Sequence, residues 1–280
     1  MLKREFSLIL QRMKGRNIET KSFDLNSKTA FAQNPNGLGA NSEFDMLKVG
    51  NRNTINQQKY NFSQIQLEIA FNSYDSFKSF FEILSWGDYK AKLVYKIPLN
   101  NQLETFTRDV VINSVPKSEK IKGYLASTII MTPLSFWYKD TTNTINLVAE
   151  ETEYISIQEG KSELARTLIF NVSNKGSKFE VSYSGNYSES KYFALKNLDS
   201  SDLNNLNRLY YSSEDGDAYI NVQNSYGTIK KDLLNSTYFD VQNSNTPFIQ
   251  IPAYDFGWLR FTSDVAATVI YTIREYYIAV

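Results

Sequence analysis

The 280-residue chain contains no cysteine and no histidine. Without cysteine it has no disulfide, no thiolate nucleophile and no Cys-ligated zinc, and nothing in it conflicts with assembly in a reducing cytoplasm. Without histidine it lacks the usual general base near neutral pH and the commonest transition-metal ligand. His-dependent triads, zinc hydrolases and His-ligated haem are therefore excluded, which leaves carboxylate, Lys, Tyr or Ser/Thr chemistry. Charge of one sign is missing too: 30 basic and 30 acidic residues cancel. No long-range field gathers phosphate backbones or acidic membranes, so no sequence-specific nucleic-acid partner is expected. Nowhere do ~18 apolar residues run together, which excludes a membrane-inserted helix. The start MLKREFSLIL is basic, but its apolar run from Phe6 to Leu10 falls short of the ~7–15 residues of a signal-peptide core and reads as a first strand.

Aromatic residues are abundant, with 19 Tyr and 18 Phe in a chain that is 42% hydrophobic. That bias favours pleated, half-buried surfaces over helical bundles, so a mostly β protein is expected. The length suits two domains at ~100–200 residues each. We place them at residues 1–140 and 141–280, where the polar stretch Asp140-Thr141-Thr142-Asn143-Thr144 reads as a linker. No internal repeat is present.

In the first half, residues 6–10 and 18–25 read as short strands. Next comes Asn34-Pro35-Asn36-Gly37-Leu38-Gly39, in which Pro35 fixes one φ while Gly37 and Gly39 allow positive φ, so the backbone must turn or approach a neighbour closely. Taken alone, this is also the composition of an ordinary surface loop. A hairpin over 44–69 follows. The spacing predicts one helix over 74–86, capped by Ser73, with Asp75 in its first turn and Gly87 past its end. Phe77, Phe80, Phe81 and Leu84 share a stripe, which reads as core packing on a sheet rather than a ligand cage. Strands over 90–98 and 103–115 flank an Asn100-Asn101 turn. Residues 110–115 and 124–131 then pair through the punctuation of Pro116, Ser118 and Gly123, and the domain ends on Phe136-Trp137-Tyr138.

After residue 140, short strands alternate with Asn, Ser, Gly and Asp clusters, the pattern of an antiparallel sandwich. Candidate strands cover 164–172, 178–183, 192–198, 206–212, 217–222, 228–233, 246–252, 258–262 and 267–277, and Asp215-Gly216 is a hairpin-turn dipeptide.

Candidate chemistry is sparse. Glu150, Glu151 and Glu153 are acidic neighbours, but glycoside hydrolysis needs carboxylates held ~5–9.5 Å apart across a substrate, and an exposed acidic loop accounts for them. Glu214-Asp215-Gly216-Asp217 lacks the ligand spacing of an EF-hand. Gly37 and Gly39 start a G-x-G pattern that Ser42 breaks and no helix follows, so nucleotide binding is not supported. Tyr254, Phe256 and Trp258 could stack on a sugar ring; in a sandwich such alternating aromatics also serve as core or as an interface wedge. Asn61, Asn171, Asn186 and Asn235 start N-x-[ST] triplets, which an Asn-rich chain produces by chance. No cofactor is expected.

The order of strands, Pro-x-Gly-Leu-Gly loop, hairpin, Phe-rich helix, second hairpin and Trp-Tyr end resembles the N-terminal domain of the distal tail proteins of siphophages. The resemblance implies a tail-tube-like ring domain, built as a β-sandwich or barrel with one helix and a hairpin. It further implies a galectin-like or carbohydrate-binding-module-like sandwich over 141–280, with Asn174-Lys175-Gly176 near its first hairpin. The implied protein is a non-enzymatic virion component, assembled in the host cytoplasm, whose partners are its own copies in a hexamer, the tail tube, the tape measure protein and receptor-binding proteins. Pro35, Gly37, Leu38 and Gly39 become assembly-loop candidates, and Trp137 and Tyr138 become braces of the domain hinge. Two other readings stand beside it: a host-glycan-binding adhesin using Tyr254, Phe256 or Trp258, and a His-free glycosidase.

Overall fold

Alternation sets the first strand: Phe6, Leu8 and Leu10 are buried while the residues between them are only partly covered. The period of two turns every second side chain onto one face. In the computed structural model this pattern builds β1 (Glu5–Lys14), β2 (Asn17–Asp24), β3 (Ala30–Asn36), β4 (Ala40–Val49), β5 (Arg52–Phe62) and β6 (Ile65–Phe71). Then come α1 (Tyr74–Leu84), β7 (Lys90–Leu99), β8 (Gln102–Ser114), β9 (Lys120–Ile121), β10 (Tyr124–Pro133) and β11 (Trp137–Leu147). The structure describes residues 3–14, 17–49, 52–84, 89–115, 120–121, 124–173, 179–186, 191–195, 206–213, 217–224, 227–232, 239–240 and 249–280. Trp86, Gly87, Pro116, Ser118, Gly123, Asn174, Lys175, Gly176 and the Glu214-Asp215-Gly216 turn lie outside these residues.

The chain forms two compact units, one of Met1–Lys139 with Tyr277–Val280 and one of Asp140–Tyr276. The last four residues, placed with the second half by the sequence reading, group with the first unit, where the Tyr277 ring meets Phe106 edge-on at 5.1 Å. The polar stretch 140–144 is not a free linker but part of strand β11. Its polarity suits an exposed strand face, where Asp140 receives the Arg274 guanidinium in two bonds of 2.7 and 2.8 Å and Thr142 meets Thr272 at 2.8 Å.

In the first unit all pairings are antiparallel, in the order β2-β1-β7-β8-β10-β6-β3, with β9 on β10. The sheet curls: Leu25 donates to the Phe6 carbonyl, accepts from the Ala32 N–H, and Asn26 bridges Phe31. Its inner face gathers Ile65, Leu67, Ile69, Phe71, Leu93 and Ile129 around the helix residues Phe77 and Phe80. Ser73 caps α1 by accepting the Ser76 N–H at 3.1 Å. Phe81 departs from the expected stripe. It is 46% exposed and only stacks on Phe77, because it sits a further 100° round the helix from Phe80, beyond the apolar wedge. Asn100 and Asn101 both have positive φ, 49° and 64°, which makes the β7–β8 connection a two-residue primed hairpin turn. The expected hairpin over 44–69 resolves into two pieces: β4 and β5 pair as a two-stranded sheet of their own, while β6 joins the main sheet.

The second unit continues β11 from Asp140 and adds β12 (Thr152–Ile157), β13 (Arg166–Ser173), β14 (Phe179–Gly185), β15 (Lys191–Leu195) and β16 (Leu206–Ser212). It ends with β17 (Asp217–Asn224), β18 (Gly227–Asp232), β19 (Phe239–Asp240), β20 (Gln250–Ile251), β21 (Gly257–Ser263) and β22 (Ala267–Tyr277). One sheet runs β18-β17-β16-β13-β22-β11, with β20 also on β13, and the other runs β12-β21-β14-β15-β19. Rings from the two layers meet directly: Phe170 lies 5.5 Å from Phe179 and 6.2 Å from Phe261, and Phe261 lies 5.8 Å from Tyr271. This is an antiparallel sandwich with an aromatic core. The acidic run is not wholly loop, since Glu153 lies in β12 opposite Phe261. Of the strand expected over 246–252, residues 249–252 are described, and Gln250–Ile251 form β20.

Candidate functional site

Two sequence motifs separated by almost a hundred residues meet in the first unit. The chain leaves β3 through Asn34, at φ 48°, and Gly37, at φ 76°, with Pro35 on a strand at the end of its sheet, where a missing N–H costs no ladder bond. A Cβ on Gly37 would lie 2.0 Å from the Gln64 carbonyl oxygen, so glycine is required there for both conformation and space. Gly39 has open space around it.

This loop delivers the Leu38 carbonyl to two donors. The Trp137 Nε1–H donates to it at 2.6 Å and Arg108 Nη1 at 3.2 Å. Trp137 and Arg108 are both fully buried. Arg108 also donates through Nε to the Ser135 carbonyl at 2.7 Å, and its guanidinium lies 4.4 Å from the Phe62 ring centre and 5.5 Å from that of Trp137. Among the described residues its Nη2 has no hydrogen-bond partner, and burial lowers its pKa to about 10. Aromatic faces and backbone carbonyls thus hold the cation in place. Phe136 stands edge-on to Phe62 at 4.8 Å and to Tyr60 at 5.8 Å. The cluster therefore joins the loop, the foot of the β4–β5 hairpin, β8 and the start of β11.

Tyr138 is buried in the same unit; its hydroxyl donates to Asp109 Oδ1 at 3.3 Å and Lys92 Nζ lies 5.8 Å from its ring centre. Arg108 escaped notice in the sequence because an arginine in a strand reads as an outward side chain. Its sequence signal was its position within the strand over 103–115, in the part of the chain that closes on Phe136-Trp137-Tyr138.

The sugar-stacking candidates lie elsewhere, in the second unit. Tyr254, Phe256 and Trp258 are 52%, 39% and 53% exposed, so they are not core residues. Between them Asp255 is buried, and its Oδ1 accepts the N–H of Asn186 at 3.1 Å and of Phe256 at 2.9 Å. Arg166 Nη2 donates to the Asp255 carbonyl, and Arg166 Nη1 donates to Gln158 at 3.0 Å and lies 4.0 Å from Glu275. Burial, reinforced by Asp255, pushes the Tyr183 phenol well above its ordinary value. Glu150 and Glu151 sit in an exposed turn and Glu153 on an exposed strand. Among the described residues no three acidic side chains converge as a metal site.

Residues 14–134 match the family model described as distal tail protein, N-terminal domain. Residues 14–134 thus carry the N-terminal domain of a phage distal tail protein. The match takes in the Gly37 loop, the helix and Arg108, and it stops three residues before Trp137. Distal tail proteins are structural components of the phage tail and baseplate, located in the virion at the tail tip. No curated protein is significantly similar in sequence. Solved structures share the fold over nearly the whole chain. A chain of the phage p2 baseplate, in its activated conformation with calcium, superposes with a TM-score of 0.62 at 14% identity, covering 100% of both chains. Its counterpart with strontium gives 0.61 at 14% identity, covering 99% of this chain and 100% of that one. The Dit protein of phage SPP1, a paradigm of hub adsorption apparatus in phages infecting Gram-positive bacteria, gives 0.54 at 10% identity, covering 96% and 98%.

Proposed function

We propose that the protein is the hub of a siphophage tail tip. The first unit forms a hexameric ring that continues the tail tube and leaves a central channel for DNA and the tape measure protein, and the second unit holds adhesion components. The observation that carries this reading is the joining of the Gly37 loop to Trp137 through Leu38 within a family-matched domain. The hub role of the SPP1 protein and the baseplate origin of the phage p2 chains support it.

The β4–β5 hairpin adds support. It is a separate two-stranded sheet that exposes Phe44 and Met46, and an isolated hairpin of this kind is marginal in water until something covers it. A ring is a heterologous interface that closes, and unpaired strand edges suit it. In this reading the residues from Pro35 to Gly39 act on assembly by aiming the hairpin. Trp137 and Tyr138 anchor the point where the chain leaves the first unit.

We assign no catalysis; the exposure of Glu150, Glu151 and Glu153 to solvent supports that. Light scattering of the purified protein is the test. A particle of six times the 32.2 kDa chain mass, seen as rings with a central hole in negative stain, is expected. A strict monomer at high concentration overturns the reading.

A further inference from the structure

We propose that the outer face of the β12-β21-β14 sheet is a binding site for a neutral saccharide, with the Trp258 indole as its platform. The register sets out the face. Tyr154, Arg260 and Ser182 stand in one row across the three strands, and Ser156, Trp258 and Ser184 in the next. The alternate residues Ile155, Leu259, Phe261, Val181 and Tyr183 belong to the core, so these two rows point away from it. Trp258 and Tyr154 are 53% and 60% exposed. Trp258 sits on the middle strand, where an outward indole has no core to join.

The arrangement suits a sugar better than a protein partner. Trp258 is flanked on both sides by serine, at the strand spacing of ~4.8 Å. Each hydroxyl both donates and accepts, so a hexose can lay its apolar face on the indole while its ring hydroxyls reach the serines and the Arg260 fork. A protein interface draws on a contiguous apolar core, whereas here Trp258 has a serine on either side in its row and Tyr154 has Arg260 beside it in the next. The charge of Arg260 is offset on the same face by Glu180, one row further along, which favours an uncharged ligand.

The platform is also fixed in advance. Gly257, just before Trp258, lies so close to β14 that a Cβ would come within 2.1 Å of the Ser184 carbonyl oxygen. Asp255, held by Arg166 and by two backbone N–H groups, clamps the preceding turn. Little freedom is left to lose on binding. The inference does not depend on the hub reading.

The test titrates the full-length protein with cellotetraose, chitotetraose and maltotetraose, followed by saturation-transfer NMR and tryptophan emission. We expect saturable binding to at least one of them. Trp258→Ala should weaken it about tenfold or more, and Trp258→Phe should retain part of it. Tyr154→Ser, also at an exposed position, should weaken it with an unchanged melting curve. The proposal is overturned if none of the three sugars binds up to ~10 mM, or if binding survives Trp258→Ala unchanged. It is equally overturned if the wild type ignores the sugars while Trp258→Ala blocks attachment of another tail component, which would make the face a protein dock.

Discussion

The indole N–H of Trp137 donates to the carbonyl of Leu38 at 2.6 Å, across 99 positions of sequence. That bond turns a glycine loop and an aromatic strand start into one structural object. Removing the donor with Trp137→Phe leaves Leu38 with only the longer Arg108 bond and opens space beside the Arg108 guanidinium. A loss of about 1–3 kcal/mol is expected, read as a lower denaturant midpoint at unchanged m-value. Wild-type stability in this variant would show that the clasp contributes nothing net.

The two glycines of the loop should behave differently. Gly37→Ala places a β-carbon in the left-handed region and against the Gln64 backbone, which cannot move as a side-chain end can. A cost of at least ~2 kcal/mol follows from the conformation and the collision together. Gly39→Ala meets nothing within 4 Å and should melt within a few degrees of the wild type. Equal melting temperatures for the two variants would contradict this geometry.

Helix α1 separates its phenylalanines in the same way. Phe80 is 1% exposed and touches Phe23 and Phe71, so Phe80→Ala should cost ~3–5 kcal/mol. Phe81→Ala, at an exposed position, should cost under ~1 kcal/mol. Thermal unfolding of the two variants side by side decides it.

These contrasts mark where the sequence was legible. Local rules located Ser73 as a cap, Asn100-Asn101 as a turn and Phe77 with Phe80 as a buried pair, because each depends on spacing within a few residues. Phe81 was misjudged because periodicity gives the direction of a stripe but not its width. The stretch 140–144 looked like a linker because composition cannot show that Arg274, 134 positions away, would pair with Asp140. Both halves of the clasp were visible, but their contact was not, and Arg108 was invisible as a centre because its partners are carbonyls and rings rather than a carboxylate. Tyr154 carried no sequence signal of its own, since only the strand register of β12 turns it outward beside Arg260.

Arg108 makes the clasp sensitive to alkaline pH in a defined direction. Burial lowers its folded pKa to about 10, well below the ordinary guanidinium value. Below pH 10 the group is charged in both states, and the folded protein bears the full cost of burying the cation. As pH climbs past about 10 the folded state releases the proton while the unfolded chain, with its ordinary guanidinium, still holds it. The unfolded state then binds more protons, so this group's contribution to stability rises with pH. Arg108→Met removes the titration but keeps an unbranched side chain among the rings. The stability of the wild type minus that of Arg108→Met should therefore increase between about pH 9 and pH 11, measured by denaturant unfolding at each pH. Taking the difference cancels the tyrosines and lysines that titrate in both proteins. A gap that stays constant or shrinks over that interval would show that the guanidinium keeps its proton in the folded state, and that Phe62, Trp137 and the Leu38 and Ser135 carbonyls stabilise the cation as well as water does.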